Sequence, residues 1–127
     1  MYRLNSEFTR MLVYVRANSL ILVLILANLL FNIIANASFK VSAGSPNFRS
    51  FLIWQIVGNS AGLITVLTLT WLLRYVPLHV AFPVTTGLAV IGVQMAAGGL
   101  IFGEVISLQD WLGALLVVMG IVLISGW

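Results

Sequence analysis

Asn28, Asn32, Asn36 and Lys40 stand four residues apart in the run ILANLLFNIIANASFK. At about 100° per residue, steps of four drift by only about 40°, so the four side chains share one slowly spiralling face of a helix. Their chemistry is hydrogen bonding, with one fixed positive charge and no acid. An amide cannot exchange a proton near neutral pH, and an unpaired amide in hydrocarbon costs several kcal/mol. The stripe is therefore expected to face other helices or a wet cavity and to contact a polar ligand there. Gln55 and Asn59, four apart, and Thr86 and Gln94, eight apart, are the groups expected to form its opposing wall. Together with Asn28, Asn32 and Asn36 they make up the predicted substrate-binding set.

The elements that must carry these residues follow from composition. Hydrophobic residues make up 61% of the 127-residue chain and charged residues 7%, and the mean hydropathy is +1.14. A soluble domain of this length cannot hide so much apolar surface in one core. Four runs hold the excess, at about 19–39, 51–73, 80–102 and 108–127. At 1.5 Å per residue each is ~26 to 35 Å of helix, which matches a hydrocarbon core of ~30 Å. The alternation of a β-barrel strand is missing, because the runs are apolar on every face. The predicted fold is an all-α integral membrane protein, a bundle of four transmembrane helices.

The other classes of function lose ground on the same grounds. There is no cysteine and a single histidine, His79, so neither a disulfide nor a metal centre is expected. His79 beside a turn is read as an interfacial residue rather than as a pigment ligand. No nucleophile and base pair, metal cluster or phosphate-binding loop is present, so no catalytic site and no cofactor is expected. The net charge of +3 comes from scattered basic residues. They read as topology signals and headgroup contacts, not as a nucleic-acid surface.

Residues 1–18 read as an amphipathic lead, with Phe8, Met11, Leu12, Val13 and Tyr14 among Arg3, Glu7, Arg10 and Arg16, expected in the membrane interface. The first apolar run also has features of a signal peptide, with basic residues before it and Ala35-Asn36-Ala37 as a cleavage-like site; its length favours a span. Gly44, Pro46 and Asn47 break the first connection, Pro77 the second, and Glu104 and Asp110 mark the third. Asp110 is placed to begin a helix and Glu104 to end one. Arg3, Arg10, Arg16 and Arg74 outnumber Lys40 and Arg49 across the membrane, which predicts both termini in the cytoplasm, with bacterial inner membrane as the expected location. Trp71, Trp111 and Trp127 fit as interfacial anchors. Small residues recur at helix-contact spacing: Gly58 and Gly62, Gly92 and Ala96, Gly99 and Gly103, and Gly113 with Gly120. The last pair directs one face of the fourth run at a partner, which predicts a dimer.

From Leu73 to Ser125 the chain resembles the last two spans of the small multidrug resistance family, within the drug/metabolite transporter superfamily. The likeness rests on the Val76-Pro77 turn, Ala81-Phe82, Gly87, Phe102-Gly103-Glu104 and the Gly113/Gly120 pair; Ala37-Ser38-Phe39-Lys40 extends it to the first span. The resemblance implies four-span subunits working in pairs. In its proton-coupled exporters an essential glutamate lies eight residues before the lysine that matches Lys40, and here that position is Asn32. The exporters' substrate-facing aromatic residue falls at Thr85. Ala81-Phe82-Pro83 and the amides look more like the relatives that flip aminoarabinose-phosphoundecaprenol. The function expected is therefore transport or flipping of a polar-headed lipid or small metabolite by alternating access, without a buried carboxylate. The alternative is a non-transporting accessory subunit of a larger membrane complex. The partners expected are the lipid bilayer and either a like-folded homo- or heterodimer partner or that larger complex.

Overall fold

The computed structural model describes the backbone of residues 2–125 and the side chains of residues 18–96 and 98–124. The backbone is helical throughout, with no strand among the described residues: α1 (Tyr2–Ala43), α2 (Phe48–Leu72), α3 (Leu78–Gly92) continuing as a π-helical stretch (Val93–Ile101), and α4 (Leu108–Ser125). Three segments are long and apolar enough to cross a membrane: Asn18–Ala43, Phe48–Leu72 and Leu78–Ile101. The apolar part of α4, Leu108–Ile124, is shorter, about 26 Å of helix.

No break separates the lead from the first span, since α1 is one helix through residue 18. The side chains of the amphipathic lead and the Trp127 anchor lie outside the described residues. Helix α1 runs past the expected end at Phe39, where Lys40 in its last turn complements the negative end of the helix dipole. Gly44 and the bend at 45–47 then reverse the chain. Asn47 caps α2, its Oδ1 accepting the Ser50 N–H at 2.8 Å. Ser42 ties the corner by donating to the Phe51 carbonyl at 2.9 Å.

The helices run up and down, with α1 against α2 as the principal pair and α3 laid across both. The face that α2 turns to α1 runs through Gly58, Ala61, Thr65, Thr68 and Leu72, an i, i+3, i+4 series of small or compact residues. Gly58 allows that approach: a Cβ there would stand 2.5 Å from the Phe39 ring. At the end of the α2–α3 turn, Leu24, Leu72 and Ala81 are buried, with Leu20, Ile21, Ile25, Leu69 and Val76 packed round them. Pro83 lies in the second turn of α3 and there removes the N–H that would have bonded the His79 carbonyl. Among the described residues, helix α4 packs on α3 and on neither α1 nor α2. Its start is a reciprocal cap. The Ser107 N–H and hydroxyl donate to Asp110 Oδ2 at 2.9 and 2.8 Å, and the Asp110 N–H donates to Ser107 Oγ at 3.2 Å.

The accessible surface is 9149 Å². A compact soluble monomer of 13.8 kDa would expose roughly 6,600 Å². Leu, Ile, Val and Phe side chains are exposed along all the spanning segments, a surface suited to lipid or to other helices. This is a helical membrane protein.

Candidate functional site: a polar path along α1

Asn32 and Asn36 of the α1 stripe donate backwards along their own helix, because helical side chains lean toward the amino terminus and meet the residue four positions earlier. Asn36 Nδ2 donates to the Asn32 carbonyl at 2.9 Å. Asn32 Nδ2 donates to the Asn28 carbonyl at 3.1 Å and to Asn28 Oδ1 at 2.9 Å. Asn28, only 3% exposed, turns to α2 and donates to the Thr65 carbonyl at 2.9 Å and to Thr68 Oγ1 at 3.1 Å. The consequence is directional. All three NH₂ groups are engaged, while Oδ1 of Asn32 and of Asn36 receives no donor among the described residues. The stripe offers acceptors.

Two hollows open on that stripe. The inner one, about 190 Å³, lies among Asn28 and Asn32 of α1, Thr65, Val66 and Leu69 of α2, and Thr85, Thr86 and Ala89 of α3. Val66 and Thr86 are exposed, so this hollow opens sideways between α2 and α3. Thr85 is buried and donates to the Ala81 carbonyl at 2.9 Å. The second hollow, about 410 Å³, lies at the loop end of the bundle and is bordered by Asn36, Lys40, Gln94, Phe102, Glu104 and Asp110. Lys40 Nζ pairs with Glu104 Oε1 at 2.9 Å across its rim. Glu104 is brought there by the turn at Gly103, whose φ is 64°, and by its N–H bond to the Gly98 carbonyl at 2.8 Å. It ties α1 to the 102–107 connection, beyond the helix-ending role expected of it.

Of the predicted site residues, Asn28, Asn32 and Thr86 border the inner hollow and Asn36 and Gln94 the outer one. Asn28 is there chiefly as a tie between helices, with every polar atom of its side chain engaged. Gln55 and Asn59 border neither. Gln55 Nε2 donates to Ser42 Oγ at 3.1 Å, and Asn59 turns back to the Gln55 carbonyl at 2.7 Å. On α2 the polar part of the wall is supplied instead by Thr65, with Thr68 beside it accepting from Asn28, two residues that the spacing of the amides does not single out. The Gly58, Ala61, Thr65, Thr68, Leu72 series would have located both, since threonines on a small-residue seam meet the helix packed on it. Span four does contribute to the outer hollow, through Asp110 at its first turn.

The predicted dimer residues are placed differently from the other glycines. Gly87 packs under Ile121 and Val117, whereas a Cβ at Gly113 or Gly120 would meet nothing within 4 Å in the monomer. No group of three or more potential metal ligands occurs among the described residues.

The chain matches no family model, no curated protein and no solved structure.

Proposed function

We propose that the protein is a small membrane transporter or flippase that moves a polar-headed lipid or small metabolite by alternating access, without a buried carboxylate of its own. The observation that carries this reading is the acceptor-bearing stripe from Asn28 to Lys40, bordered by one hollow inside the bundle and another at its end. Unpaired carbonyl oxygens at Asn32 and Asn36 suit a headgroup rich in hydroxyl or N–H donors. The sideways opening between α2 and α3 lets a lipid tail stay in the bilayer while its headgroup follows the stripe. The resemblance to lipid-flipping relatives of the small multidrug resistance family points the same way. The test is reconstitution: purified protein in proteoliposomes should speed the exchange of a labelled glycolipid between leaflets, and an exchange rate equal to that of protein-free vesicles would refute it.

The working unit is a dimer in the bacterial inner membrane, formed through α4, where Gly113 and Gly120 leave room for a second backbone. Gly113→Leu with Gly120→Leu should separate the dimer while leaving the monomer folded, because a Cβ at either position has nothing within 4 Å. In-membrane crosslinking checks this; an unchanged dimer yield would put the interface elsewhere. Both termini face the cytoplasm on the balance of basic residues. A carboxy-terminal tag should resist external protease in spheroplasts, and its removal would reverse the orientation.

The placement of α4, held by α3 alone, favours one other reading, an accessory subunit that completes its packing inside a larger membrane complex. Stoichiometric copurification with such a complex in mild detergent would support it over transport.

A further inference from the structure

The outer hollow has a lopsided set of polar groups. One cation, Lys40, faces two carboxylates, Glu104 and Asp110. Lys40 is the only partner of the Glu104 side chain among the described residues, and the two side chains are 58% and 50% exposed. A pair so exposed is readily exchanged for another. Asp110 uses only Oδ2 to bond Ser107, and Asn36 Oδ1 has no donor. Acceptors are in excess and the formal charge of the lining is negative. The wall also holds the opposite feature: Gln94 Nε2 is buried without a hydrogen-bond partner, a donor in need of an oxygen.

We propose that this hollow binds a headgroup carrying a primary ammonium beside an oxygen acceptor, as in an ethanolamine phosphate. The ammonium replaces Lys40 on Glu104 and reaches the free Asp110 oxygen, and a ligand oxygen takes the Gln94 amide. A primary ammonium offers three N–H donors, the number the unpaired acceptors can use, whereas a trimethylated ammonium offers none. Occupancy also breaks the tie between α1 and the 102–107 connection, so that loading loosens the rim of the hollow. This inference rests on the transport reading for its biological purpose but not for its chemistry.

Equilibrium binding decides it, with no gradient and no transport step. Native mass spectrometry on the detergent-solubilised protein would compare short-chain phosphatidylethanolamine with its phosphatidylcholine counterpart, and free phosphoethanolamine with phosphocholine. The ethanolamine forms should bind about tenfold more tightly. Glu104→Gln should weaken binding, and Lys40→Met, which removes the competing cation, should strengthen it several-fold. Misfolding would lower both, so the opposite signs carry the argument. Binding of the lipid forms alone assigns the site to a lipid headgroup, and binding of the free forms as well assigns it to a soluble amine; both uphold the chemistry. Equal affinity for ethanolamine and choline forms would overturn it. So would the reversed pattern, with Lys40→Met weaker and Glu104→Gln tighter, which describes an oxyanion site. Binding as expected in a protein that moves no lipid would count against the transport reading alone.

Discussion

If the protein transports as proposed, Asn32→Leu should abolish transport in proteoliposomes while the protein still inserts and folds. Asn32 is the middle of the stripe and borders the inner hollow, and its Oδ1 is free for a ligand. The stability it supplies is small. Its two bonds run to the preceding turn of its own helix, and polar contacts in membranes are worth ~0.6 kcal/mol on average, with a maximum near 2. The loss should therefore fall on activity, by at least about tenfold if one ligand hydrogen bond of ~1.4 kcal/mol disappears from the path. Asn32→Glu separates the roles further. Burial opposes ionisation of the new carboxyl, so at low pH it is a neutral donor and acceptor that replaces the amide. Activity should then decline as pH rises and the side chain ionises. The wild type, with no titrating group in the stripe up to Lys40, should lack that dependence. Rates measured over a pH series test both variants. Full activity in Asn32→Leu would exclude a substrate-facing role, and wild-type transport that follows an imposed proton gradient would require a coupling group elsewhere.

Gly87→Leu loosens α4 from the bundle. Gly87 is buried on α3, where a Cβ would overlap Ile121 and would stand 3.2 Å from Val117 Cγ1. Ile121 and Val117 are both β-branched and stiff at χ1 on a helix, so the added side chain has to push the helices apart. Overpacking of this kind costs about 1 to 3 kcal/mol. With α3 as the only neighbour of α4 among the described residues, the strain has no second interface there to spread into. The midpoint of unfolding in a denaturing detergent titration should drop clearly for Gly87→Leu, and should stay in place for monomeric Gly113→Leu, whose added side chain meets nothing. Equal midpoints for wild type and Gly87→Leu would show that α4 is not held at this contact.

Much of this molecule is local to the chain. The positions of the apolar helices, the breaks at Gly44 and Pro77 and the cap that Asp110 makes with Ser107 depend on hydrophobicity, on backbone preferences and on partners three or four residues away. The one-sided stripe of Asn28, Asn32 and Asn36 is local too, because four-residue spacing on a helix brings each amide to the one before it. Those features were legible without coordinates. The rotation of each helix about its axis was not. A helix that is apolar all round carries no amphipathic signal to say which face meets a neighbour, so nothing in the spacing alone sets the threonines of α2 above Gln55 and Asn59. Close backbone approach decides between them: the seam through Gly58 and Ala61 turns the threonines to Asn28 and leaves Gln55 to Ser42. Tertiary structure also brought Glu104 across to Lys40, 64 residues earlier in the chain, divided the stripe between two hollows and left α4 on α3 alone. Each of these depends on groups distant in sequence meeting in space, which neither hydropathy nor spacing along one helix encodes.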